Sequence, residues 1–313
     1  MVNNKKMNAD KNLAKEQFKD LNKEFYSNYM DEYYFIKLNN LLNMISRTNE
    51  YQESIDKVEV ELGKIKTTLD ASNTEKIQQY AKMELTNTYF HCLETFIRLF
   101  ISHANLSGCP WLDISRLTIQ DYRRALKRLA NDEFEWLNNK LSGDNTVLFV
   151  LLGYSELPKE MDKKDLKGFR KWISWAANEL LNNYEYNTFK HGLAIYTNFT
   201  GFKMENSMGE FFKKYDECLQ FLKREENDRR FVWVKKTIFI PYDSRVAIIY
   251  TFAHLIKDIL VVGNYLYSNG EYKIEWIPNH KFTPEFFFNN NEESIKGIPI
   301  QVKGYSMQLK YYK

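Results

Sequence analysis

His91, Glu94, Arg98 and His103 stand inside HCLETFIRLFISHA, a stretch whose other residues are mostly apolar. Each type carries usable chemistry. An imidazole near neutral pKa can take or give a proton. A guanidinium can hold a phosphate through paired hydrogen bonds and offset charge in a transition state. On an ideal helix His91, Glu94 and Arg98 fall at i, i+3 and i+7 and share a face. His103 lies about 140° further round from Arg98, so it joins them only where the helix ends or kinks. Gly108 and Pro110, in SGCPWLD, supply an end within a few residues. The same four residues also make a purely structural set. Glu94 and Arg98 have the spacing of the commonest helical ion pair, and both histidines can hydrogen-bond to backbone.

A second cluster is YNTFKHG, residues 186–192. Asn187, Lys190 and His191 offer amide, ammonium and imidazole groups near a helix end, and Gly192 permits a close backbone approach or a C-cap. The plainer reading is that Lys190 and His191 cap a helix C-terminus and complement its dipole.

Arg98-Leu-Phe-Ile-Ser-His103 is an arginine, four residues and a histidine, which resembles the signature of the HEPN superfamily. Glu94 is similar to the acidic residue that often precedes that motif by one turn. The position after the arginine, often asparagine in the family, is Leu99 here. Asn187 to His191 resembles the second half of the same signature, with Tyr186 where arginine would stand. The resemblance implies a small helical bundle and a metal-independent endoribonuclease, needing no cofactor. His103 would be the acid/base, Arg98 the phosphate clamp and Glu94 the group orienting it. His191 would be a second imidazole, and His91, Tyr186, Asn187 and Lys190 would contact substrate. RNA would be the substrate, in a phage-defence or toxin–antitoxin setting. The site would be built across a dimer or between two paired domains, and the protein partner would be a second copy of the chain, as a homodimer, or an antitoxin or defence protein. The competing reading is a non-catalytic helical interaction module that uses the same polar pocket for a nucleotide or a protein partner.

The elements that would position these groups are mainly helical. No proline precedes Pro110 and glycine is scarce there, so the spacing predicts helices over 11–28, 30–46, 53–70 and 74–103. Further helices are expected at 119–137, within 141–153, and at 168–186. RRFVWVKKTIFIPYD reads as a strand, residues 243–263 as a buried helix, and Asn269-Gly270 as the turn of a hairpin. Residues 281–297 read as a loop and 301–313 as a closing strand. The expected fold class is mainly α, a helical bundle with a small C-terminal β element of strand plus hairpin. Its regions would be a helical segment at 1–73, a HEPN-like core at 74–200 and an α+β region at 201–313.

With 44 Lys and Arg against 41 Asp and Glu, the net charge of +3 gives no global pull toward nucleic acid. Two local stripes remain, RRALKRLA and KKDLKGFRKW, the latter beside Trp172 and Trp175. They would suit an RNA backbone or simply be solvated helix faces. Three widely spaced cysteines form neither a disulfide framework nor a zinc pattern and suit a reducing compartment. The polar N-terminus lacks a secretory h-region, and His254, Lys257 and Asp258 interrupt the longest apolar run. The expectation is therefore a cytoplasmic protein with no membrane partner. Phosphate-binding glycine loops, nucleophile elbows and HExxH are missing from the sequence.

Overall fold

The computed structural model describes residues 13–70, 73–159, 161–182, 184–190, 195–206, 209–227, 230–274, 282–289, 293–295, 298–300 and 303–309. The chain divides into two units. One comprises residues 1–33, 93–181 and 251–283; the other comprises 34–92, 182–250 and 284–313.

The first unit is helical. It contains α1 (Lys15–Asn28) and the later part of the long α4 (Thr74–Ala104). It also holds α5 (Pro110–Arg116), α6 (Ile119–Ala130), α7 (Gly143–Leu152), α8 (Lys163–Asn182) up to Leu181, and the later part of α10 (Tyr242–Ser268). Local chemistry marks the ends. Leu106 and Gly108 turn to positive φ after α4, and Pro110 restarts helix at α5. Thr118 accepts from the Asp121 N–H to cap α6, Ser142 caps α7 through the Asn145 N–H, and Gly153 closes α7 in the left-handed region. The core is aromatic. Phe96 and Trp172 both meet Phe252 edge-on, at 4.8 and 5.5 Å between centroids, and Phe100 meets Phe134.

The second unit is mixed. It holds α2 (Tyr33–Ser46) from Tyr34 on, α3 (Thr48–Ile55), the hairpin β1 (Val58–Leu62) with β2 (Ile65–Leu69), and the first part of α4. It continues with α9 (Tyr184–Lys190), β3 (Ile195–Asn206), β4 (Gly209–Asn227), β5 (Arg230–Phe239) and the start of α10. α11 (Pro284–Asn289), β6 (Glu293–Ile295), β7 (Ile298–Ile300) and β8 (Gly304–Gln308) complete it. The main sheet is antiparallel, in the order β3-β4-β5-β8. Phe189, Ile195, Leu219, Phe221 and Ile240 form the core against one of its faces.

This architecture corrects the expected fold class. Strand is not confined to a small C-terminal element, because a four-stranded antiparallel sheet begins at Ile195 and a separate hairpin lies at 58–69. VEVEL and IKTTL alternate at period two around Gly63, which takes a positive φ, so the segment expected to be a helix over 53–70 folds as hairpin after Ile55. The hairpin expected at Asn269-Gly270 is not formed. α10 runs on to Ser268, and Asn269, at φ 58°, ends it while the Gly270 N–H donates to the Asn264 carbonyl. Residues 284–289 of the expected loop are helical, whereas the strand expected at RRFVWVKKTIF and the closing strand are found, paired as β5 and β8.

Candidate functional site

In the helical unit, α4 carries Glu94 and Arg98 one turn apart. Arg98 donates to Glu94 Oε1 from Nε at 3.0 Å and from Nη2 at 2.8 Å. Its guanidinium lies 4.3 Å from the centroid of the Tyr122 ring on α6. Glu94 is buried and Arg98 half-buried, so the pair is a satisfied one on an otherwise apolar helix.

His103 sits differently. It is 3% exposed. Its Nδ1 is 2.7 Å from the Leu99 carbonyl and its Nε2 2.8 Å from the Tyr26 hydroxyl. A carbonyl only accepts, so Nδ1 carries the proton and the tyrosine hydroxyl donates to Nε2. Burial pushes the imidazole down to about 4, partly opposed by the Leu99 hydrogen bond. The same burial pushes the Tyr26 phenol well above its ordinary value. The ring is a neutral link in a hydrogen-bonded chain from α1 to α4.

The remaining expected site residues lie in the other unit. His91 is exposed, its ring against Tyr34 at 5.7 Å, and its carbonyl accepts from the Tyr34 hydroxyl. Tyr186 is buried and stacks on Phe90 at 5.3 Å and 26°. Asn187 is exposed. Lys190 is the last helical residue of α9, and its side chain, like all of His191 and Gly192, lies outside the described residues. Glu94 and Arg98 are therefore brought together, and His103 is bonded elsewhere.

A cleft of about 270 Å³ opens on the α4 face that bears Ile101, Ser102 and Asn105. Its other walls include Asp113 and Arg116 on α5, Asp121 on α6, and Trp136. Asp113 accepts from Asn105 Nδ2 at 3.1 Å, from the Ser107 hydroxyl, and from Arg116 at 3.4 Å. Asp121 pairs with the exposed Arg124 at 3.3 Å. Trp136 lies under the Arg128 guanidinium at 5.0 Å. The cleft's formal charge is acidic, two carboxylates against one guanidinium. Sequence reasoning missed Tyr26, Tyr122, Asn105, Asp113 and Trp136. Only the i, i+3 spacing of Asp113 and Arg116 hinted at any of them.

The two basic stripes resolve differently. In KKDLKGFRKW, Arg170 bonds both Asp132 and Asp144 and covers the Phe134 ring, Trp172 is buried with its N–H on the Phe282 carbonyl, and Trp175 stacks on Phe252. Trp172 is thus core, and Trp175 is half-buried and already stacked within the protein. RRALKRLA buries Leu126 and Leu129 and exposes its cations, with Arg128 paired to Glu133. No group of His, Cys, Asp and Glu suited to a metal ion occurs among the described residues. Compared with protein-family models, curated proteins and solved structures, the chain matches none.

Proposed function

We propose that the protein is a non-catalytic recognition protein, and that the acidic, tryptophan-edged cleft of its helical unit, beside α4, receives a cationic side chain of a partner protein. The observation that carries this reading is the burial of His103, with both ring nitrogens engaged and its protonated form disfavoured at neutral pH. An acid/base needs reach to its substrate and a pKa near the working pH; this imidazole has neither. Tyr186 supports the same reading, because a buried stacked phenol stands where the resembling signature has its second arginine. The cleft is the size of a small ligand or one long side chain. Asp121 is its exposed carboxylate: one oxygen pairs with Arg124 for only about 0.5 kcal/mol, the other accepts from the Thr118 hydroxyl at 2.7 Å, and both contacts are readily exchanged at the surface. Three buried free cysteines fit a reducing compartment such as the cytoplasm.

The test is RNA cleavage by the purified chain in EDTA, with His103→Gln alongside. Neither protein is expected to generate 2′,3′-cyclic phosphate ends. Cleavage by wild type that His103→Gln abolishes, with its fold retained, would restore the endoribonuclease reading. The cleft is probed by Trp136 fluorescence with arginine amide, which should bind and lose affinity in Asp121→Asn. Equal response to glutamate amide would sink the assignment.

A further inference from the structure

β5 carries Phe231, Trp233 and Lys235 at steps of two, so all three project from one face of the main sheet. The register sets their neighbours. Trp233 pairs with Arg224 and Lys235 with Leu222 on β4, and Lys235 pairs with Met307 on β8. Tyr196 on β3 pairs with Gln220 on the same face. One end of this face is closed, with Cys218, Gln220, Thr237 and Phe239 buried. The other end is open: Phe231 is 57%, Trp233 45% and Met307 54% exposed, and Tyr196, opposite Gln220 at the boundary, is 49% exposed. Solvent-facing apolar groups gathered in this way across a sheet, two of them on the inner strand β5, mark an interaction surface.

Two cations lie among these rings. The Arg224 guanidinium is 4.0 Å from the Phe231 centroid, and Lys235 Nζ is 5.9 Å from that of Tyr196. Among the described residues the carboxylates on the face are Glu226, opposite Phe231, and Asp216, already 3.8 Å from Lys214. Among the described residues the open end therefore carries two cations, Arg224 and Lys235, against one carboxylate, Glu226, a net charge of +1. Exposed rings interleaved with cations complement a partner that is anionic and presents flat π surfaces. A duplex hides its bases in the stack, whereas a single strand can splay them onto aromatic rings and guanidinium planes.

We propose that the open end of this sheet face binds single-stranded nucleic acid, with Trp233 and Phe231 as base-stacking platforms and Arg224 and Lys235 as phosphate contacts. The site uses none of the cleft residues and is independent of the recognition reading above.

The experiment is fluorescence anisotropy of labelled single-stranded RNA and DNA of mixed sequence with the full chain, across a salt series. Binding is expected at low salt, uncontested by unlabelled duplex. Trp233→Ala should weaken it by on the order of tenfold. Arg224→Ala and Lys235→Ala should each lower the slope of log affinity against log salt by about 1. Circular dichroism checks that these surface variants keep their fold. The proposal is overturned if the wild type binds no single strand, if Trp233→Ala, Arg224→Ala and Lys235→Ala each bind as the wild type does, or if sedimentation reveals a dimer that Trp233→Ala dissociates. Anisotropy reports binding and not strand scission, so its failure leaves the cleavage result untouched.

Discussion

At the scale of single residues, His103 is the informative one. Its folded pKa lies near 4 against 6.5 when unfolded, so between these values the unfolded chain binds more protons and stability rises with pH. The contribution is fully present above about pH 6.5 and is lost as pH falls toward 4, amounting to about 3 kcal/mol over that window. Urea midpoints of the wild type should therefore drop from pH 7 to pH 5 more steeply than those of His103→Gln, which lacks the titrating ring. Parallel pH profiles would show that His103 is not the buried neutral link described here. Glu94 and Arg98 illustrate the opposite case, in which a charged pair inside an apolar helix closes on itself and on Tyr122.

At the scale of elements, the link from α1 to α4 depends on a third helix. A methyl group at Gly263 on α10 would lie 2.4 Å from the Tyr26 hydroxyl and 2.7 Å from its ring. Tyr26 also stacks on Tyr267 of α10, at 5° between planes. Gly263→Ala must therefore displace a packed ring, at a cost of about 1–3 kcal/mol, and with it the hydroxyl on His103 Nε2. The expected result is a lower melting temperature together with a His103 imidazole that titrates closer to 6.5 by NMR. An unchanged histidine titration would mean that Tyr26 is held without α10. Helices and strands differ in how far they could be read. α4 was legible almost to the residue, because its 31 residues hold neither Gly nor Pro and SGCP follows closely. β4 was not, because Phe212, Tyr215, Leu219 and Leu222 recur at three- and four-residue steps, the helical period, in a segment that pairs as strand.

At the scale of the molecule, α10 is long and apolar enough to cross a membrane by length and composition. In the fold, 67% of its most apolar window is buried by protein, and Asp258 lies within it at 4% exposure. A membrane span would leave that carboxylate in lipid at a cost of several kcal/mol, whereas packing within protein supplies partners. The chain is thus expected to remain in the supernatant when cell membranes are washed in alkaline carbonate; retention in the pellet would contradict a protein-packed α10.

Local pattern did not suffice for the hairpin at 58–69, but it did for most of the long helices, for the break after α4 at Gly108 and Pro110, for strand β5 and for the placement of charged groups within an apolar helix. These follow from local rules: backbone propensity, period and capping act over a few residues. It also located the Glu94–Arg98 pair, because i, i+4 neighbours meet on any helix. Tertiary structure alone decided what surrounds those groups. The partner of His103 comes from Tyr26, 77 residues away, and no spacing in the sequence encodes that contact or the burial that disfavours the charged ring. The same holds for the sheet face, where Arg224, Trp233 and Met307 become neighbours only through strand register. Desolvation and convergence arise from non-local packing, and these decide whether a polar residue is a catalyst, a brace or a contact.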